Sequence, residues 1–182
     1  MNQFSNSNNK IIIFTDGSSL GNPGPGGFGA VIWFASLDQV IEIGERSEGT
    51  TTNNRMEIMA AIESLLAVND KAGLVTIYTD SEYLLNGITK WIWNWQKKGW
   101  RTAGKKPVLN QDLWQRLLLL IKKREEKWGN ITWKKIPGHA GHLGNERADV
   151  IATSFAEGED VTFARGTREE YEKLFGGKLE VQ

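Results

Sequence analysis

Residues 11–14, IIIF, set four apolar side chains in a row, and the run closes on Thr15-Asp16 before Gly17. Residues 75–78, VTIY, close in the same way on Thr79-Asp80 before Ser81. Short β-rich runs bounded by turn residues predict buried strands. After the first, GNPGPGG at 21–27 is a turn cluster, because Gly supplies positive φ and Pro fixes its own. FGAVIWFA at 28–35 and QVIEIGER at 39–46 read as a second and third strand in an antiparallel meander. The pattern then changes period. From Thr52 or Asn53, either of which can cap it, a helix is predicted to run to about Val68, with Gly73 ending the segment before the 75–78 strand.

Residues 81–95 read as one or two short helices, and KKGWRTAGKKP at 97–107 is too polar and Gly-rich for regular structure. Leu113, Trp114, Leu117, Leu118 and Ile121 keep helical spacing within a long amphipathic helix from about Asn110 to Lys127. ITWKKI at 131–136 predicts a fifth strand, PGHAGHLGN a loop, and ERADVIATSFAEG a helix that Asp149 begins. Beyond Glu159 the one helical signal is TREEYEKLF. The order β-β-β-α-β-α-α-β-α predicts an α/β fold, a five-stranded mixed sheet with helices on both faces. A crossover helix joins strands one and four, so they should run parallel with their carboxyl ends on one edge. Ligand sites of open α/β sheets form at that edge, where Asp16 and Asp80 fall.

Composition narrows the chemistry. With 182 residues, 40% of them apolar, the chain can bury one sizeable core. The expected organisation is a loose tail over residues 1–9, one compact domain over 10–158 and a C-terminal extension over 159–182 of unassigned role. No run reaches the ~20 apolar residues of a membrane span, and MNQFSNSNN lacks the order of a signal peptide. A soluble, cytoplasmic protein without membrane contact is expected. There are no cysteines, which excludes disulfides and thiolate metal sites and leaves carboxylates, His139 and His142 as ligands or catalysts. Net charge is zero, yet residues 96–109 carry five bases and no acid, while residues 157–182 carry seven acids against four bases. A basic patch is hidden in the neutral total.

Singly, each acid has an ordinary structural reading: Asp16 and Asp80 as turn-formers, Glu57 and Asp149 as charges near helix starts. Small residues Ala60, Ala61 and Ser64 follow Glu57 on one helical face, which would let that helix approach the sheet closely. Four carboxylates converging on one cleft would repel strongly unless protons or cations intervened. Hard divalent cations suit such a site: Mg²⁺, with Mn²⁺ as a substitute, and two ions ~4 Å apart can serve phosphodiester hydrolysis.

FTDGSSLGNPGPGGFGA, TTNNRMEIMAAI, YTDSEYLLNGITKWIWNWQKKGWRTAGKKPV, NQDLWQRL and GHAGHLGNERADVIA lie in order across most of residues 10–155. Together they resemble type 1 ribonuclease H, the bacterial ribonuclease HI group. The resemblance implies a ribonuclease H-like fold, with Asp16, Glu57, Asp80 and Asp149 holding two Mg²⁺ ions. It implies endonucleolytic hydrolysis of the RNA strand of RNA/DNA hybrids, leaving 5′-phosphate and 3′-hydroxyl ends. His139 takes the proton-transfer and product-release role by the same comparison, His142 a loop-shaping one, and Glu146 a position near the site.

The resemblance also makes the basic loop a protrusion that follows the DNA strand. Lys97, Lys98, Arg101, Lys105 and Lys106 would contact its backbone, and Trp91 and Trp95, one helical turn apart, would pack on deoxyribose. A Trp stripe is commonly core, and that reading is kept for Trp93; Trp100 stays open between core and nucleic-acid contact. Ser19, Asn22, Asn53 and Asn54 would read 2′-hydroxyls from the minor groove, and Thr52 and Asn110 would form a DNA-phosphate pocket. Thr50, Glu82 and Gln96 depart from the family pattern. The expected partner is the hybrid alone, with a monomeric enzyme and no obligate protein partner. A junction-resolving or transposing nuclease of the same fold is the first rival, disfavoured by the Trp-rich loop and NNRME. A non-catalytic hybrid-binding module is the second, disfavoured by retention of all four acids.

Overall fold

The computed structural model describes residues 9–179. The tail expected over residues 1–9 therefore lies almost wholly outside the described residues. Six strands form one mixed sheet in the order β5-β4-β1-β2-β3-β6. They are β1 (Lys10–Ser19), β2 (Gly26–Phe34), β3 (Gln39–Arg46), β4 (Leu74–Thr79), β5 (Thr132–Lys135) and β6 (Arg165–Gly166). The meander β1-β2-β3 is antiparallel, and β4 runs parallel to β1 in a register that sets Thr15 beside Thr79. The expected count of five strands is corrected to six. The added strand is two residues long and pairs antiparallel with Val40 and Ile41, too short to leave any alternation in the sequence.

Alternation along the central strands divides the core. Ile11, Ile13, Ile32 and Phe34 point to one face, against α1 (Asn53–Ala67) and α4 (Gln111–Trp128). Phe14, Val31 and Trp33 point to the other, where α5 (Leu143–Glu157) and α6 (Arg168–Phe175) lie. Thr52 caps α1, its hydroxyl accepting from Arg55 N–H, and Ala60, Ala61 and Ser64 are fully buried as their spacing implied. On the same face α2 (Glu82–Asn86), a π-helical turn (Gly87–Trp91) and α3 (Ile92–Lys97) run on continuously. The wide turn places Gly87 against the fully buried Trp114, where a Cβ would sit 2.1 Å from the indole. Trp114 Nε1 donates to Tyr83 Oη at 3.2 Å.

Two features tie the elements that frame the sheet edge. The buried Arg124 of α4 donates to the carbonyls of Val68 (2.7 Å), Lys71 (3.1 Å) and Gly73 (2.9 Å), which end α1 and lead into β4. The second is the seating of helices on glycine. A Cβ at Gly17 would lie 2.2 Å from Glu57 N on α1, and one at Gly29 would lie 2.3 Å from Ala148 O on α5. Residues 159–179 are packed onto the sheet through β6 and α6, with Tyr171 and Leu179 buried in the second core.

Gly29→Ala is expected to push α5 off β2, because the added methyl meets backbone and the branched Ile151 Cβ at 2.7 Å. A loss of about 1–3 kcal/mol follows from such overpacking. Thermal melts of variant and parent check it, and an unchanged midpoint would show that α5 yields without cost.

Candidate active site

The parallel ladder of β1 and β4 ends at Thr15 and Thr79, so Asp16 and Asp80 stand side by side at that carboxyl edge, although β1 itself runs on along β2 to Ser19, past the Thr-Asp pair at which the apolar run closes. The opposed Thr15 and Thr79 are buried, and Thr79 Oγ1 accepts from Ser81 N–H at 3.1 Å, turning the chain away. Gly17 then admits the first turns of α1, which delivers Glu57 to the same point. One oxygen from each of Asp16, Glu57 and Asp80 lies within 4.8 Å of the other two, the one such acidic group found among the described residues.

Their environment disfavours three negative charges. Burial raises the Asp16 pKa to about 8, helped by the charges of Asp80 and Asp149, while the Gly17 N–H, donating to Oδ1 at 2.8 Å, opposes the shift. Burial and then Asp16 and Asp80 push Glu57 well above its ordinary range. Glu57 Oε2 is buried with no hydrogen-bond partner, and Oε1 has only a 3.5 Å contact with Asn53 Nδ2. An orphaned carboxylate oxygen facing two other acids is the donor set a hard divalent cation requires, so the residues fit Mg²⁺ or Mn²⁺.

Asp149 borders this group without joining it. It sits in the second turn of α5, which begins at Leu143; the expectation that Asp149 starts this helix is corrected. Leu143, Gly144 and Asn145 had read as loop because Gly144 interrupts the pattern, but that glycine packs on Phe14, where a Cβ would lie 2.3 Å from the ring. Asp149 Oδ1 accepts from Thr153 Oγ1 at 3.3 Å, and Oδ2 lies 3.8 Å from His139 Nδ1. The His139 side chain is 83% exposed, on a backbone with φ of 51°. Glu146 is engaged locally, Oε1 accepting from Gly141 N–H at 2.7 Å. His142 occupies the α5 cap position without a side-chain capping bond.

Asn145 escaped the sequence reading. It is buried, and its Nδ2 donates to Asp80 Oδ2 at 3.2 Å, while at Gly138, in the loop before α5, an added Cβ would lie 2.7 Å from the same oxygen. Only the true start of α5 could have signalled it: Asn145 and Asp149, four apart, share a helical face.

The remaining candidates spread from this centre. Asn53, Asn54 and Asn22 are exposed, and Ser19 Oγ donates to Gly21 O at 2.7 Å. Arg55 joins the two residues of the expected phosphate pocket, its N–H reaching Thr52 Oγ1 (3.4 Å) and its guanidinium reaching Asn110 Oδ1 (3.4 Å) and Asp112. Asn110 holds φ of 58° and donates to Tyr83 Oη at 3.1 Å. Trp91 is partly exposed and 5.6 Å from Trp95 between ring centroids, while Trp95 and Trp100 are half-buried against the core. Trp93 corrects the sequence reading: it is 44% exposed, with Lys122 over its ring, because the π-helical turn and short α3 aim it outward from the bundle. Lys97, Lys98, Arg101, Lys105 and Lys106 are all exposed, and Arg101 donates to Lys105 O at 2.8 Å. Of the departures from the family pattern, Glu82 is paired with Lys135 and Gln96 accepts from Lys122 at 3.4 Å.

A mixed α/β sheet with acids gathered at its carboxyl edge, in a chain that also carries an exposed basic, Trp-rich loop, has the groups a nuclease needs, and comparison with known proteins assigns that class. The RNase H family model matches residues 8–157. Ribonuclease H of Serratia proteamaculans is 53% identical over 147 residues, covering 81% of this chain and 89% of the relative. Among solved structures, LC9-RNase H1, a type 1 RNase H with the type 2 active-site motif, matches with TM-score 0.72 at 30% identity, over 90% of this chain and 81% of that one. LC11-RNase H1, solved in complex with an RNA/DNA hybrid, matches with TM-score 0.59 at 25% identity, over 81% and 97%. The chain belongs to the ribonuclease H family as a bacterial type 1 member, a nuclease hydrolase.

Asp16→Asn should stabilise the metal-free protein at neutral and mildly alkaline pH. A carboxyl whose folded pKa lies near 8 against 3.8 unfolded contributes stability that is full below about pH 4 and is lost as pH rises through about 8. Melts in chelator across that window are expected to show a falling midpoint for the parent and a flatter, higher one for the variant. A parallel decline in both would remove Asp16 from the repulsive group.

Proposed function

We propose that this chain cleaves the RNA strand of RNA/DNA hybrids endonucleolytically, using two Mg²⁺ ions held by Asp16, Glu57, Asp80 and Asp149. The observation that carries the reading is the convergence of Asp16, Glu57 and Asp80, with a buried Glu57 oxygen lacking a partner. Mn²⁺ is the expected substitute. When bound, the ions neutralise the cluster and supply Lewis-acid stabilisation of the charge that develops on the phosphodiester.

The chain's own groups do the rest. Gly17 N–H holds Asp16 and Asn145 holds Asp80, so the acids do not have to reorganise during reaction. Asp80 orients the water that attacks phosphorus in line. The 3′ oxygen departs on the far side, leaving 5′-phosphate and 3′-hydroxyl ends. His139, exposed and 3.8 Å from Asp149, relays a proton at the rim and assists product departure. Asn53 beside Glu57, with Ser19, Asn22 and Asn54, reads 2′-hydroxyls, and Arg55 organises Thr52 and Asn110 for a DNA phosphate. The Lys/Arg-rich loop and the Trp91–Trp95 pair follow the DNA strand, with Trp100 bracing the loop against the core.

All four acids come from one chain, which supports a monomer acting without an obligate partner. Residues 10–158 are the proposed catalytic domain. No helix among the described residues is long and apolar enough to cross a membrane. A cytoplasmic location is a separate part of the proposal.

The direct test offers labelled RNA/DNA hybrid, duplex DNA and duplex RNA with Mg²⁺ or with chelator. Cleavage of the hybrid's RNA strand, Mg²⁺-dependent and lost in Asp16→Asn, is expected; equal cleavage of duplex DNA would favour the junction-resolving alternative.

Replacing Lys97, Lys98, Arg101, Lys105 and Lys106 with Gln should raise KM for the hybrid and flatten its salt dependence, since fewer counterions are released. KM measured across a salt series for both proteins checks this. An unchanged slope would mean that the loop is merely solvated and that binding lies elsewhere.

A further inference from the structure

Helix α5 carries Asp149, and it is seated by the buried Leu143, Ala148, Ile151 and Ala152 on a part of the sheet rich in glycine. It lies on Gly27, Gly29 and Gly44, where an added Cβ would come within 2.3–2.5 Å of α5 backbone or side-chain atoms. Glycine lets a helix come close but offers no side-chain ridge to set its angle about its own axis. Polar contacts at its sides add to the apolar packing in setting that angle. Asn145, on the face shared with Asp149, is one such contact through its bond to Asp80. The other lies about 200° round the helix from Asn145, at Arg147.

Arg147 Nε and Nη2 donate to the two carboxylate oxygens of Glu42 on β3, at 2.7 and 3.0 Å. The Glu42 side chain is completely buried. Its remaining acceptor capacity goes to residues after 158: Tyr171 Oη donates to Oε1 at 2.6 Å and Ala164 N–H to Oε2 at 2.8 Å. Thr162 O accepts from Arg147 Nη2 at 3.4 Å, and the guanidinium stands 4.7 Å from the Phe175 ring centre. The network is satisfied only in this arrangement. Turning α5 would leave a buried carboxylate facing a displaced guanidinium, a costly state. The extension that closes the network lies beyond the residues the family model matches.

We propose that the Glu42–Arg147–Tyr171 cluster is a positioning device for catalysis, through which the C-terminal extension sets the rotation of α5 and hence the place of Asp149 at the carboxylate site. This rests on the reading of Asp149 as a metal ligand. Arg147 and Tyr171 are positioning residues and touch no substrate. Side-chain ends lie about 5–6 Å from a helix axis, so a turn of about 20° carries the Asp149 carboxylate about 2 Å. Mg²⁺ tolerates little error in ligand distance, so its affinity should register the shift.

The test uses the full chain and three variants: Arg147→Lys, which loses the two-pronged contact but keeps the charge; Tyr171→Phe, which loses one hydroxyl; and Asp149→Asn as reference. Mg²⁺ is titrated in two ways, by the rise in melting temperature without substrate and by activation of hybrid cleavage, at a temperature where circular dichroism shows each variant folded. In Arg147→Lys the Mg²⁺ midpoint is expected to rise about tenfold, the scale seen when groups that orient metal ligands are removed. Tyr171→Phe should shift it less, and both should regain kcat at saturating Mg²⁺ with KM for the hybrid unchanged. A lower metal-free melting temperature with a parental Mg²⁺ midpoint in both would make the cluster a structural anchor only and overturn the proposal. Should Arg147→Lys not fold, Tyr171→Phe, which keeps the ring, decides alone. A parental midpoint in Asp149→Asn would instead overturn the assignment of Asp149, separating that failure from failure of the positioning role.

Discussion

The approach of α1 to Gly17 decides where Glu57 stands, and the carboxylate site depends on it. Helix and strand backbones meet so closely that no Cβ fits between them. That proximity presses a buried glutamate against Asp16 of β1, an arrangement the carboxylates themselves resist. The opposing energy comes from apolar packing on the same face, where Ile58, Ala61, Ile62 and Leu65 of α1 are buried against β1 and β2. On the other face α5 repeats the device over Gly29, the residue paired with Asp16 across the β1–β2 ladder. Glycine on both sides of the same strand pair brings two helices, and the acids they carry, to one edge.

Much of this was legible in the sequence because the determinants are local. Two apolar runs ending on Thr-Asp, a Thr cap ahead of Asn-Asn, and a leucine-rich stripe at 113–121 each name an element, and the crossover rule orders them. The six-stranded count, the early start of α5 and the exposure of Trp93 were not legible, for separate physical reasons. A two-residue strand has no period. Gly144 looks like a helix breaker until its contact with Phe14 is seen. Trp93 follows a π-helical turn, which shifts the phase of every later side chain relative to an ordinary helix.

The site's polar supports were hidden for a different reason. Asn145, Arg55 and Arg147 act across 65, 57 and 105 residues of chain, on Asp80, Asp112 and Glu42 respectively. No spacing rule reaches that far. Glu42 in particular occupies an inward position on β3, where strand alternation calls for an apolar side chain, and that conflict was the one sequence-level trace of the network around it. The extension after residue 158 had no role legible in the sequence beyond the helical signal of TREEYEKLF, yet its Tyr171 and Leu179 are buried in the second core.

Arg124 bears on how the molecule comes apart. Its guanidinium, reaching from α4, gathers the carbonyls that end α1 and precede β4, and burial pulls its pKa down without any carboxylate partner beside it. The crossover between the two aspartate-bearing strands is therefore finished by a helix that arrives some fifty residues later in the chain. Until α4 docks, the Lys71 and Gly73 carbonyls lack this donor and Val68 O keeps only its turn bond from Lys71 N–H, so α1, the entry to β4 and α4 form one cooperative unit for opening and closing. Amide protons along that seam would exchange together, and slowly, while the loop at 97–107 exchanges on its own.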